Sequence, residues 1–480
     1  MVMGEMELTS ELLVIGSGPG GYAAAFRAAD LGLDVALIDS RPRPGGVCLY
    51  DGCIPSKTCL HLAELIHDAG QAAGMGVHFD VPRLDLTEVR SWKQQVIDSM
   101  AEGLMHLTKK RGVQLIQGEA RFENATTVRL QNSEISRIKF RNAIIATGST
   151  PIEYPGTDFR PGGRIMSSTE ALALTDIPAS LLVIGGGYVG LELGTVYAAL
   201  GSKVQVVELA DRLLAGVDRD LVQPLQTRLA SLFAKISLQT RVVSMRETAD
   251  SVEVSLQEAG GDAETISFDR VLVAIGRRPN SGELGLENTA VKLNDRGYIE
   301  IDDRQRTSEP HIYAVGDVAG GIMLAHKATR EGRVAAEVVA GQSSSFDVRA
   351  IPAVVYTDPQ IAWCGLTEEQ AEKKQIPVAV QKFPWKYSGR ALSMGASAGF
   401  SKILVNPDDG RILGVGIVGR NAEGLIAEGV LAIEMGAMAE DVALSLHPHP
   451  TLSETEAEAA ELFLGSPTHL LPKKKQSSHL

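Results

Sequence analysis

The chain has 480 residues, enough for two to four domains with buried cores. Hydrophobic residues make up 44% and charged residues 22%, an ordinary globular composition, and a net charge of −13 argues against nucleic acid as a main partner. Four cysteines are too few for a secreted disulfide framework. No apolar run approaches the roughly 20 residues of a membrane helix. The opening MVMGEMELTS lacks the basic and apolar regions of a secretory signal, so a cytoplasmic location is expected. The one basic run, Lys473 to Lys475, stands in a polar tail and reads as a frayed terminus.

The first predicted strand, Leu12–Ile15, runs into GSGPGG and an alanine-rich helix from about Gly20 to Leu31. A second apolar run, Val35–Ile38, ends on Asp39. Gly16, Gly18 and Gly21 form G-x-G-x-x-G at a strand-to-helix turn, with the acid 23 positions after Gly16. The glycines permit a tight turn and close approach to a pyrophosphate, which rests on the helix N-terminus, and the acid is placed for ribose hydroxyls. Dinucleotide binding is the expected role.

Next comes GGVCLYDGCIPSK, Gly45 to Lys57. Cys48 and Cys53 are five apart, about 7.5 Å along a regular helix. A disulfide wants its Cα atoms about 4.4–6.8 Å apart, so bridging requires a distorted turn, which Gly52 can supply. Pro55 suits the first turn of a following helix. Thiols near that helix N-terminus and Lys57 favour thiol–disulfide exchange. Taken alone the two cysteines also fit a reduced structural pair, or half a metal site for which no second Cys/His pair lies nearby.

The strand–glycine–helix pattern returns at Leu181–Ile184, GGGYVG with Gly185, Gly187 and Gly190, a helix to about Leu200, and Val204–Val207 ending on Glu208. Two such units mean two dinucleotides, and the second acid favours NAD over NADP by repelling a 2′-phosphate. Arg212 is read as a solvated loop residue. AIIATGS, with Gly148, and VLVAIGRRPN, with Gly276, read as crossings between nucleotide domains. TSEPHIYAVGD puts Asp317 just after a buried strand, where it holds a cofactor's polyol chain or caps the next helix. From about Ile351 a separate α+β domain is expected, with strands at Ala353–Tyr356, Lys402–Val405 and Leu413–Val418. It ends in HPHPTLSE, with His447, His449 and Glu454.

These residues together resemble the pyridine-nucleotide–disulfide oxidoreductases, most closely their dihydrolipoamide-oxidising bacterial members, from Leu12 to about Leu471. The cysteine motif, the doubled fingerprints, YAVGD, MLAHKA, VVYTDPQIAWCGLTEEQA and HPHPTLSE carry the resemblance. It implies an α/β fold with two Rossmann-like dinucleotide-binding domains and a C-terminal α+β dimerisation domain. The boundaries expected are 1–150 for FAD, 151–278 for NAD, 279–350 completing the FAD site, and 351–480 for dimerisation. FAD would be held by Gly16, Gly18, Gly21, Asp39, Gly148, Asp317 and Ala325. NAD would be held by Gly185, Gly187, Gly190, Glu208 and Gly276.

The resemblance further implies that Cys53 faces the flavin and Cys48 meets the substrate. Lys57 would lie near the reactive flavin nitrogen with Glu192 as its ionic partner. His449 would be the base, oriented by Glu454, and would reach the disulfide of the other subunit of a homodimer. A dithiol would attack Cys48, and the electrons would pass through Cys53 and FAD to NAD. The lipoyl group would come on a domain of another protein, from a 2-oxo acid dehydrogenase or glycine cleavage complex. His447, Cys59 and Cys364 read as structural, and His61, His67 and His326 lack metal-ligand spacing.

Two positions depart from the family. Leu49-Tyr50-Asp51-Gly52 replaces the usual LNVG, and Asp51 would raise the thiol pKa values if it pointed inward. Tyr188 stands where glutathione reductases carry a gating tyrosine. That rival would use NADPH, with basic residues where this chain has Leu209 and Ala215. Mercuric reductases need a C-terminal cysteine pair that is missing here. A non-catalytic docking subunit is the other rival class, and retention of all six catalytic positions speaks against it.

Overall fold

The computed structural model describes residues 6–471. The Lys473–Lys475 run lies outside the described residues. The chain divides into two compact units. One holds the residues up to Cys59, Val81–Asp176 and Val273–Asp347; the other holds Leu60–Asp80, Ile177–Leu272 and the chain from Val348.

The first unit is built on a sheet whose neighbours run Gln114–Gln117, Val35–Asp39, Glu7–Ile15 and Arg137–Ile145, all parallel, with Ile312–Ala314 added in parallel. The strand Glu7–Ile15 starts partly exposed and ends fully buried, as a strand covered on both faces should. Alternate residues serve opposite cores. Leu13, Ile15, Ala36, Ile38, Ile145 and Ala314 face one side. Leu12, Val14, Leu37, Ile144, Tyr313 and Val315 face the other, under the helices Pro19–Asp30 and Ala325–Val339. Those helices approach so closely that a Cβ at Gly332 would stand 2.2 Å from the Gly20 carbonyl oxygen. The alanine-rich helix read from the sequence is therefore a packing requirement. Each large apolar side chain buried this way contributes about 1.5–3 kcal/mol. The carboxyl ends of these parallel strands deliver Gly16, Asp39 and Asp317 to one edge of the sheet, the edge where open α/β sheets bind ligands. An antiparallel pair, Glu119–Asn124 and Thr127–Gln131, extends the sheet beside Arg137–Ile145.

In the second unit Ser180–Ile184, Lys203–Val207 and Lys235–Ser237 are parallel neighbours, and Arg270–Val273 lies on the far side of Ser180–Ile184. Between them runs an antiparallel meander, Thr240–Glu247, Val252–Glu258 and Ala263–Phe268. The C-terminal part is a five-stranded antiparallel sheet ordered Ala353–Val355, Gln360–Gly365, Ile412–Gly419, Phe400–Val405 and Ala379–Pro384. Its core takes in Phe383, Trp385, Ile403, Ile417, Ile426 and Ile433, with the helices Ala422–Met435 and Glu454–Leu464 packed on it.

One buried charge organises this unit. Lys402 is 1% exposed, and its Nζ donates to Asp218 at 2.7 Å, Asp220 at 2.9 Å and Glu368 at 2.8 Å. Those three carboxylates lie within the spacing of a metal site, and the ammonium already stands between them.

Candidate active site

The cysteine segment is fixed against the first glycine loop. The Gly45 N–H donates to the Ser17 carbonyl at 2.9 Å. Gly46 has φ +59°, and a Cβ there would stand 2.6 Å from the Gly18 Cα. A short helix, Gly46–Tyr50, then anchors Leu49 against Ile97 and Ala101 of the helix Leu86–Lys110. The backbone breaks at Asp51-Gly52, and a new helix, Cys53–Gln71, begins at the second cysteine. A Cβ at Gly52 would meet the Val47 carbonyl oxygen at 2.9 Å, so a glycine is what lets the break close.

The break brings the two sulfurs into hydrogen-bonding range in the dithiol state. That bond, followed by burial, pushes the Cys48 thiol far up, while Lys57 one turn into the helix pulls the other way. Cys53 stands in the first turn of its helix, where the dipole favours a thiolate. Burial raises Cys59 to about 11 and Cys364 to about 12, which makes both poor nucleophiles.

Tyr22, on the helix that follows the first fingerprint, is a site residue that sequence reasoning missed. Burial raises its phenol, and the neighbouring Cys48 and Cys53 sulfurs raise it further. Its position in an alanine-rich helix gave no signal of this.

Asp51 does not stand as a bare charge beside the thiols. The Asp51 carboxylate pairs with the Arg41 guanidinium, which also stacks on the Tyr50 ring, 4.8 Å from its centroid. The Tyr50 hydroxyl donates to the Pro44 carbonyl at 3.1 Å. Asp51 is not among the leading influences on the Cys48 thiol. An opposite charge in direct contact satisfies it instead.

At the strand ends, Asp39 accepts from the Ser17 N–H at 2.7 Å, the Ser17 hydroxyl at 2.6 Å and the Arg41 N–H at 2.9 Å. The helix Pro19–Asp30 starts at Gly18 with no side-chain cap, and a Cβ at Gly18 would meet nothing closer than 3.9 Å. A cradle with open N–H groups and a bare backbone fits a pyrophosphate. Asp317 accepts from the Ser149 hydroxyl at 2.5 Å, beside Gly148 at φ +71°. Gly316 donates to Glu331, which is ion-paired to Lys327 at 2.6 Å. Ala325 opens its helix without a side-chain cap. Gly276, at φ +127°, accepts from the Ile152 N–H at 3.0 Å. Gly148, Asp317 and Ala325 fit a second, polyol-bearing portion of the ligand that the first cradle would hold.

The second fingerprint repeats the cradle. Gly185 has φ +109°, a Cβ at Gly187 would meet nothing within 4 Å, and the helix Tyr188–Ala199 has no side-chain cap. Gly190 is buried in that helix. Glu208 accepts from the Gly186 N–H at 2.6 Å and the Ala210 N–H at 2.7 Å. Tyr188 is partly exposed, and Glu192, 3% exposed, accepts from the Tyr356 N–H at 2.9 Å. Lys57 belongs to one unit and Glu192 to the other. Arg212 is not a solvated loop residue: its guanidinium is held fork-to-fork by Glu369.

The terminal histidines divide their roles. His449 Nδ1 lies 2.8 Å from Glu454, whose other oxygen accepts from the Thr451 N–H at 2.7 Å. Burial raises Glu454, but the bonds from Thr451 and His449 outweigh it and hold the carboxyl below its ordinary value. The His449 ring is 75% exposed on this chain. His447 is tucked in, with its ring nitrogens 2.9 Å from the Ser445 carbonyl and 2.8 Å from Glu428.

The pyridine nucleotide-disulphide oxidoreductase family matches residues 10–332, and its dimerisation domain matches residues 351–460. The chain belongs to this family. Two curated relatives, both called dihydrolipoyl dehydrogenase, extend the likeness. The protein of Buchnera aphidicola from Schizaphis graminum is 45% identical over 471 residues, 98% of each chain. The protein of Geobacillus stearothermophilus is 45% identical over 474 residues, 98% of this chain and all of that one. Among solved structures, LpdA from Mycobacterium tuberculosis superposes with a TM-score of 0.87 at 27% identity, covering 94% of this chain and 99% of that one.

As a member of the pyridine nucleotide-disulphide oxidoreductases, the chain has the α/β architecture with a C-terminal dimerisation domain that its motifs imply. A homodimer is the assembly that this domain serves. Among the described residues no helix is long and apolar enough to cross a membrane.

Proposed function

We propose that the chain is a dihydrolipoyl dehydrogenase, oxidising protein-bound dihydrolipoamide with FAD and NAD as cofactors. The observation that carries this reading is the hydrogen-bonded Cys48–Cys53 pair across a broken helix, built onto an open dinucleotide cradle. FAD is assigned to Gly16, Gly18, Gly21, Asp39, Gly148, Asp317 and Ala325, and NAD to Gly185, Gly187, Gly190, Glu208 and Gly276. The corresponding domains are 1–150, 151–278, 279–350 and 351–480.

In the oxidised state the two cysteines form a disulfide. His449, its ring fixed by Glu454, takes the proton from one substrate thiol, whose ordinary pKa of about 8.5 leaves little thiolate near neutral pH. The thiolate attacks Cys48 Sγ, the Cys48–Cys53 bond breaks, and Cys53 leaves as a thiolate. The second substrate thiol then displaces Cys48, closing the lipoyl ring and returning a proton to Cys48. FAD, when bound, would supply the two-electron chemistry that links the cysteine dithiol to NAD. Lys57 supplies positive charge one turn into the helix that Cys53 opens. The protein's own work is placement, proton transfer and the electrostatics that keep the pair poised.

The substrate arm is a lipoyl domain carried by another protein, of a 2-oxo acid dehydrogenase or glycine cleavage complex, in the cytoplasm. The identity near 45% to full-length dihydrolipoyl dehydrogenases supports lipoamide over glutathione, whatever Tyr188 contributes. The test is an anaerobic steady-state assay of the flavin-loaded dimer with dihydrolipoamide and NAD, run beside NADP and the glutathione couple. NADH formation that is lost in Cys48→Ser and His449→Gln is expected. Reduction of glutathione disulfide without dihydrolipoamide oxidation would overturn the substrate.

A further inference from the structure

Arg212 is a charged residue beside the second nucleotide cradle to which the proposed reaction gives no task. Four positions before it, Glu208 closes its strand and binds the backbone of the glycine loop through Gly186. The loop then turns back on the same glycine. The Leu214 N–H donates to the Gly186 carbonyl at 2.9 Å, and Leu213 packs so close that a Cβ at Gly186 would meet it at 2.6 Å. The backbone of Arg212 is therefore one residue from the contact with the cradle, on the loop where an arginine receives the 2′-phosphate of NADP in dinucleotide folds.

Its guanidinium is occupied. Arg212 Nη2 donates to Glu369 Oε2 at 2.8 Å, and Nη1 donates to Oε1. This bond, opposed by burial and aided by Glu369 and Asp211, raises the Arg212 pKa and keeps the guanidinium charged. Glu369 is itself well anchored. It sits in the first turn of the helix Glu368–Lys374, and its N–H donates to Asp218, the carboxylate that also binds the buried Lys402 ammonium. Neighbouring Asp211 is taken by Arg219 at 2.9 Å. A guanidinium binds phosphate with the same fork geometry it uses for a carboxylate. Glu369 and a 2′-phosphate are therefore competitors for one group.

We propose that Glu369 is a nucleotide-selectivity residue, sequestering Arg212 so that Glu208 alone presents charge to the ribose 2′ position. This rests on the reading of the second fingerprint as the NAD site. Selectivity then has two parts, repulsion by Glu208 and the withholding of a ready phosphate ligand.

The test uses the flavin-loaded enzyme and compares kcat/KM for NAD and NADP with dihydrolipoamide. Glu369→Ala should raise the NADP/NAD ratio about tenfold, the scale of one charge-assisted hydrogen bond. Adding Arg212→Ala to that variant should return the ratio to the wild-type value. Glu372→Gln removes the same charge from an exposed position on the same helix and should leave the ratio unchanged. An unchanged ratio in Glu369→Ala overturns the proposal, as does a gain that survives loss of Arg212 or is matched by Glu372→Gln. A wild-type enzyme that turns over neither nucleotide overturns the reading of the site itself, and the proposal with it.

Discussion

Gly46→Ala tests how tightly the redox segment is bound to the cofactor cradle. Gly46 holds φ +59°, which costs an L-residue about 1–2 kcal/mol. Its new Cβ would also stand 2.6 Å from the Gly18 Cα and 3.1 Å from the Gly18 nitrogen. Both neighbours are backbone, so relief requires moving either the redox helix or the glycine loop. Overpacking of this kind costs about 1–3 kcal/mol. If the glycine loop yields, that amount is taken from FAD binding, a loss of roughly 5- to 150-fold in affinity. Gly32→Ala is the matched control: Gly32 has φ +87° but nothing within 4 Å of its Cβ, so it carries the backbone cost alone. FAD affinity is measured by reconstituting each apoprotein and following flavin fluorescence. Wild-type affinity in Gly46→Ala, or an equal loss in Gly32→Ala, would refute the reasoning.

Other perturbations address the remaining parts of the site. Lys402→Met leaves the buried Asp218 without its ammonium, while Asp220 and Glu368 keep Lys382, and should cost about 3–5 kcal/mol by urea denaturation near neutral pH. In the wild type, burial opposes ionisation of Asp220, but Lys382 and Lys402 hold its pKa below the ordinary value. That contribution is present above the unfolded carboxylate pKa and lost as pH falls through the folded value. The stability gap between variant and wild type should therefore narrow on acidification; a gap that widens would contradict the ion-cluster reading. Glu454→Gln should lower kcat by about 10- to 100-fold, part of the 10²–10⁴ a positioned base supplies, with KM for NAD unchanged. Asp51→Asn should leave the pH dependence of thiol alkylation in the reduced enzyme unmoved, because Arg41 already meets that charge. A profile shifted to lower pH would show that the Asp51 charge reaches the sulfurs.

Much of the fold was legible because interior parallel strands are continuous apolar runs ending in glycine. Leu12–Ile15 and Leu181–Ile184 fall within the observed strands Glu7–Ile15 and Ser180–Ile184. The meander from Thr240 to Phe268 went unread, since strands such as Ala263–Phe268 are largely solvent-facing and carry no apolar run. Two C-terminal strands run further than their apolar stretches, Phe400–Val405 against an expected start at Lys402 and Ile412–Gly419 against Leu413–Val418, whereas Ala353–Val355 stops one residue before the expected Tyr356. Side-chain partnerships were the least visible part. Arg212 meets a carboxylate 157 positions away, and His447 one 19 positions away, and nothing local in the sequence specifies either. Asp51 shows the same limit at shorter range: its motif placed it between the cysteines, but its charge is settled by an arginine ten positions upstream.

The relay through Cys48 and Cys53 is tested most directly by counting thiols. The chain has four cysteines, two of them Cys59 and Cys364, which burial makes poorly reactive in the folded protein. The flavin-loaded enzyme, denatured anaerobically with a thiol reagent, should yield two titratable thiols before reduction. After treatment with dihydrolipoamide and removal of the reagent it should yield four, with the gain abolished in Cys48→Ser. An equal count before and after reduction, in an enzyme that still forms NADH, would contradict the disulfide relay.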